Sequence, residues 1–115
     1  MKLSDILDKN SIISNLNAKD KKGVLEELAE AITIKAGTQT KDIVRVLLER
    51  EQLGSTGIGG GIAIPHGKLA GINSIIVGLG VSREGVEFDS LDNRPVHIFF
   101  VLITPANSTG IHLSV

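Results

Sequence analysis

Cysteine is absent from the 115 residues. A disulfide, a thiolate metal site and a cysteine nucleophile are therefore all excluded. Tryptophan and tyrosine are absent as well, leaving Phe88, Phe99 and Phe100 as the whole aromatic complement. Three scattered rings make no stacking platform for single-stranded nucleic acid and no aromatic-lined sugar cleft. Net charge is nearly missing: 12 basic against 13 acidic side chains give -1. Such a chain has no global electrostatic pull toward nucleic acid or an acidic membrane surface. No apolar run is long enough to cross a bilayer. The opening Met1-Lys2-Leu3-Ser4-Asp5 lacks the basic-then-apolar order of a secretion signal. The expected location is the cytoplasm, and Asn107-Ser108-Thr109 then reads as a polar turn, not a glycosylation site.

What is present is a globular composition, 42% hydrophobic and 22% charged, of a length that suits one domain. The charges are unevenly placed. Residues 1–53 hold nine basic and nine acidic side chains, whereas residues 54–115 hold three and four. The first half reads as surface helices, the second as buried strands between glycine turns. There is no repeat and no low-complexity tract.

Ser4 is placed to cap a short helix over Asp5–Leu7, and Ser11–Leu16 reads as a short strand. Asn17 is the expected cap of a helix over Ala18–Lys35. Its apolar positions Val24, Leu25, Leu28, Ala31 and Ile32 keep helical spacing, and Gly37 is its stop. Thr40 is the expected cap of a second helix, with Asp42 in the first turn and an end near Gln52. Its inward stripe is Ile43, Val46 and Leu47, and Arg50 continues it. Either the Arg50 stem lies along the core edge with its head in water, or the guanidinium points into a site. Geometry alone favours the first.

The stretch Gly54–Gly61 reads as a turn-rich loop before a short strand at Ile62-Ala63-Ile64, which Pro65-His66-Gly67 should end. Asn73–Arg83 is an expected strand with Ile75, Val77, Leu79 and Val81 on one face. Gly78 and Gly80 lie on the other, a sign of close packing or a bend. Gly85–Asp92 is an expected loop. The continuous apolar run Val96–Ile103 predicts a strand buried on both faces, with His97 a hydrogen-bonded core imidazole. Pro105–Thr109 is an expected turn before a helix near Ile111. Together these elements predict a single α/β domain, a central mixed β-sheet flanked by helices in three layers.

The glycine-rich segment fails the P-loop pattern, because Gly67-Lys68 is followed by Leu69 and the required earlier glycine falls on Ile62. It fails the dinucleotide fingerprint too, since it precedes a strand instead of following one. Three separated histidines offer no short-spaced metal pair, and no nucleophile elbow surrounds Ser55. His66 differs from the other two in being displayed on a tight turn. A neutral imidazole whose other nitrogen donates to a backbone carbonyl presents a fixed lone pair, which can accept a phosphoryl group. Such a transfer needs cations and donors around the phosphoryl oxygens and little more; Arg50, Thr56 and the loop amides are the candidate suppliers. An anion-binding module using the glycine loop without chemistry is the alternative from residues alone.

Leu47-Leu48-Glu49-Arg50-Glu51-Gln52, then Ser55-Thr56-Gly57-Ile58, then Gly61-Ile62-Ala63-Ile64-Pro65-His66-Gly67 resemble the type-2 enzyme IIA domain of the bacterial phosphotransferase system. This is its fructose, mannitol and nitrogen-regulatory class. The resemblance runs from Leu3 to Leu113, and Asn17-Ala18-Lys19…Lys22…Val24-Leu25 is most similar to the nitrogen-regulatory branch. It implies that His66 is the phosphoacceptor, charged by the histidine phosphocarrier protein. It also implies that Arg50 contacts the phosphoryl group, that His112 is a second active-site histidine, and that Thr56 donates a hydrogen bond. No cofactor or metal is implied. The phosphoryl group would pass to an enzyme IIB, or serve as a regulatory signal that switches protein partners. In the family, helices follow the second histidine and cover the sheet, whereas this chain stops at Val115. The expectation is either a fragment or a homo-oligomer in which a second copy supplies the cover.

Overall fold

A computed structural model describes residues 11–106. The expected elements at Asp5–Leu7 and near Ile111, and His112 with them, lie outside this range. In chain order the elements are β1 (Ile12–Ile13), α1 (Lys21–Ala36), α2 (Thr40–Gln52), β2 (Gly57–Gly59), β3 (Ile62–Ala63), β4 (His66–Leu69), β5 (Ile76–Val86) and β6 (Val96–Pro105).

Both helices form where apolar spacing put them, but their entries differ. Asp20, not Asn17, caps α1, its carboxylate accepting the Gly23 N–H at 2.8 Å. The Asn17 and Ala18 N–H groups instead donate to the Glu27 carboxylate at 3.0 and 2.9 Å, which holds that segment outside the helix. Gly37 closes α1 in the left-handed region, at φ 66°, where a side chain would be strained. The cap position of α2 is Gln39, which makes no side-chain capping bond. Thr40 is already helical, and its hydroxyl pairs with that of Thr33 at 2.8 Å, tying α2 to α1.

The strands form one mixed sheet in the order β1-β5-β6-β3-β2, with β4 also beside β6. β5 and β6 are antiparallel, whereas β1 is parallel to β5, and β3 and β4 are parallel to β6. The expected α/β class, with a single mixed sheet, holds. β3 and β4 behave as one interrupted strand, since Ile62↔Ile98 and His66↔Leu102 keep a constant offset. Pro65 therefore breaks the ladder without ending it. Its carbonyl accepts the Leu102 N–H at 2.9 Å, and pairing resumes at His66. The expected loop before β3 hides a hairpin. Gly60-Gly61 turns at φ 67° and 80° between Gly59 and Ile62, the two-residue connection that requires positive φ at both positions.

The two faces of the sheet differ. Ala63, Phe99, Val101 and Ile103 lie under the helices and are fully buried. Phe99 meets the equally buried Phe88 edge-on at 5.2 Å. Gly78 and Gly80 face the same way, and a Cβ on Gly80 would stand 2.7 Å from Leu28 Cδ2. Gly67 likewise lets α2 approach β4, since a Cβ there would stand 3.0 Å from Val46 Cγ2. On the far face, Leu79, Phe100 and Leu102 are half-buried, and Ile98 is 38% exposed. The β6 run is thus fully buried on one face only, because both helices among the described residues pack on that face. His97 is exposed, not a core residue. It keeps the expected hydrogen bond, 2.9 Å between Nδ1 and the Ser82 carbonyl, at a point where the Gly61 carbonyl takes the N–H groups of both His97 and Ile98.

The close approach at Gly80 yields a direct test. Gly80→Ala overpacks the α1–β5 contact and should cost about 1–3 kcal/mol, read as a lower denaturant midpoint with an unchanged slope.

Candidate functional site

The last turn of α2, the hairpin β2–β3 and the start of β4 converge on one pair of side chains. Arg50 leaves α2 with its Nη1 donating to the Gly54 carbonyl at 2.9 Å, and its Nε donates to His66 Nε2 at 3.3 Å. The other imidazole nitrogen, Nδ1, is 2.9 Å from the Ile64 carbonyl oxygen. These partners settle the tautomer. A guanidinium has no acceptor and a carbonyl has no proton, so Nδ1 carries the hydrogen and Nε2 carries the lone pair. Both side chains are half-buried. The arrangement is a neutral imidazole with a fixed free nitrogen and a permanent cation against it. It suits an incoming electrophile that bears negative charge.

The interrupted strand explains why the Ile64 carbonyl is available. Ile64 donates its N–H to the Thr56 carbonyl at 3.0 Å, but the Thr56 N–H goes to Glu51 at 3.1 Å instead of back to the Ile64 carbonyl. The ladder gap thus gives His66 an acceptor two residues behind it.

Thr56 is placed beneath the site instead of on its surface. It is buried, and its hydroxyl and N–H both donate to the carboxylate of Glu51, the N–H at 3.1 Å from Oε1. Glu51 is itself buried and takes a further bond from Lys21 Nζ at 3.0 Å. Lys21 also meets Asp89 at 3.3 Å and sits 4.7 Å from the Phe88 ring centre. Sequence reasoning missed Glu51 and Lys21. A signal for Glu51 existed: it lies four residues after Leu47 and eight after Ile43, on the apolar stripe of α2, where a carboxylate needs a partner.

The glycine loop is fixed from the opposite side. Gly60 N–H donates to Asp92 Oδ2 at 3.0 Å, and Arg94 N–H donates to Oδ1 at 3.0 Å. These two backbone donors hold the Asp92 carboxyl below the usual carboxylate range. The Gly60 amide is therefore occupied, not directed at the imidazole. Of the expected residues, the structure joins His66 with Arg50 and puts Thr56 behind them.

Residues 5–115 match the family described as "Phosphoenolpyruvate-dependent sugar phosphotransferase system, EIIA 2". A nitrogen regulatory protein of Klebsiella oxytoca is 40% identical over 114 residues, covering 98% of this chain and 70% of that protein. A fructose-specific EIIABC component of Bacillus subtilis is 36% identical over 98% of this chain and 18% of its own length. The crystal structure of nitrogen regulatory protein IIA-Ntr from Neisseria meningitidis superposes with a TM-score of 0.88 at 38% identity. That match covers 95% of this chain and 75% of the other.

The Asp92 bonds carry a pH signature. A carboxyl whose folded pKa is depressed contributes stability that is present above its unfolded value and lost as pH falls through the folded one. The unfolding midpoint of Asp92→Ala should therefore lie below wild type at neutral pH. The two should converge as the solution is acidified past the usual carboxylate range, in thermal melts across that window.

Proposed function

Since the chain belongs to the EIIA 2 family of the phosphoenolpyruvate-dependent sugar phosphotransferase system, we propose that it is a phosphoryl carrier whose acceptor is His66 Nε2. The fixed tautomer is the observation that carries this reading. With Nδ1–H held by the Ile64 carbonyl, the lone pair of Nε2 is free for attack once Arg50 Nε yields it. Nε2 attacks the phosphorus of a phosphohistidine donor, the histidine phosphocarrier protein. The new N–P bond forms as the donor's N–P bond breaks, and the donor nitrogen keeps that electron pair. No proton needs to leave His66 during the attack. Arg50 then meets the phosphoryl oxygens, where its charge offsets the charge that spreads over them in transfer. On the resemblance alone, His112 joins the site as the second histidine. Thr56 serves from below through its bonds to Glu51.

The phosphoryl group adds roughly two negative charges at the mouth of a chain of net charge -1. That change suits a switch in partner choice. Similarity to nitrogen regulatory proteins favours a regulatory destination over sugar uptake, and onward transfer to an enzyme IIB is the competing destination. Both destinations place the protein in the cytoplasm.

Intact mass after incubation with phosphoenolpyruvate, enzyme I and the phosphocarrier protein tests the chemistry. One acid-labile phosphoryl adduct is expected on wild type and none on His66→Ala; an adduct on both would remove His66 from the role. Arg50→Ala should slow transfer about a hundredfold while changing donor binding much less, as read by rapid-quench kinetics beside a binding titration. Equal rates would exclude Arg50.

A further inference from the structure

The Glu51 carboxylate is bonded to both halves of the site without touching either reactive group. It follows Arg50 directly in the chain, on the last turn of α2. It accepts the Thr56 N–H and hydroxyl, and the Thr56 carbonyl in turn accepts the Ile64 N–H at 3.0 Å. The Ile64 carbonyl then takes the Nδ1–H of His66 at 2.9 Å. One carboxylate therefore sets where α2 releases Arg50 and, through Thr56 and Ile64, where the imidazole finds its acceptor. Lys21, from the other helix, anchors it at 3.0 Å. A buried carboxylate is costly to desolvate, and an apolar side chain would fill the stripe of α2 with no such cost. Its three donors use the negative charge to bring two helices and the hairpin to one point.

We propose that Glu51 is a positioning residue for phosphoryl acceptance. Held by Lys21 and Thr56, it keeps the Arg50 guanidinium in register with His66 Nε2 and keeps the ring in its Nδ1–H tautomer. This rests on the carrier reading of His66. A pin that served stability alone would leave the ring's proton distribution and the chemical step unchanged in any variant that still folds. A pin that orients the site would alter both, because transfer rates fall steeply with misplacement of the reacting groups.

The test uses Glu51→Gln, Thr56→Val and Thr56→Ser in the full chain. Folding is checked by thermal melts, and ring-nitrogen NMR reports the His66 tautomer. Transfer from phosphorylated histidine phosphocarrier protein is followed as a function of donor concentration. Glu51→Gln and Thr56→Val should each slow the saturated transfer rate about ten- to a hundredfold, with the half-saturating donor concentration little changed. Both should also show mixed His66 tautomers. Thr56→Ser, which keeps the hydroxyl and the N–H, should stay near wild type in both readouts. Unchanged saturated rates with a wild-type His66 spectrum would overturn the proposal. So would a loss confined to half-saturation. Should Glu51→Gln fail to fold, Thr56→Val against Thr56→Ser decides alone. If wild type itself accepts no phosphoryl group, the carrier reading fails. The ring spectra, which need no donor, then decide whether Glu51 orients His66.

Discussion

A carboxylate taken out of water has to be paired, and in this protein that requirement is met at Glu51 by groups from two other segments. Lys21 comes from α1, Glu51 from α2, and Thr56 from the approach to the hairpin. Removing one partner of a buried ion pair leaves the other uncompensated, which in comparable sites costs on the order of 3–5 kcal/mol. The three segments are thus obliged to meet, and Arg50 and His66 are tied to that meeting point by the chain and by hydrogen bonds. Arg50 is adjacent in sequence, and Ile64, whose carbonyl holds the His66 ring, donates its N–H to the Thr56 carbonyl. In the proposed reading, the position of His66 follows from a charge that lies behind it.

The sheet supplies the rest of the frame by being unequal on its two sides. Glycines at 78 and 80 bring α1 hard against β5, so the covered side carries Phe99, Val101 and Ile103 with no exposure at all. The far side carries its own apolar residues, Leu79, Phe100 and Leu102, without a helix over them among the described residues. By the parallel pairing with Leu102, His66 projects to that less covered side of the sheet. The proposed acceptor, which would have to meet a donor protein, is better placed there than under the helices.

Much of this was legible in the chain itself. Apolar spacing located both helices, and Gly37 closed the first as expected, because those signals are local. Arg50 was a candidate partner of His66 from the chemistry, but only the resemblance decided it, since the stripe of α2 leaves the direction of a long arginine undecided. Where expectation failed, a distant partner decided. Glu27 claimed the N–H groups of Asn17 and Ala18 and moved the start of α1 to Asp20. The apolar run of β6 predicts burial on both faces, yet a run of such residues says nothing about how many helices are available to cover it. His97 has the hydrogen bond expected of it but at the exposed, irregular start of β6. The hairpin was signalled by Gly60-Gly61, but its strands of three and two residues are too short for any alternation to show.

The absent side chain at Gly67 gives the site a mechanical tolerance. Val46 Cγ2 lies 3.0 Å from the point a methyl group would occupy, so helix and strand stand closer than a side chain there would allow without a shift. Arg50 and His66 are carried on those same two elements, and they meet at 3.3 Å, the long end of the hydrogen-bond range. A displacement of a few tenths of an ångström would part them. The spacing between a helix and a strand is therefore the gauge to which Arg50 and His66 are set, and a hydrogen atom in place of a methyl group is what calibrates it.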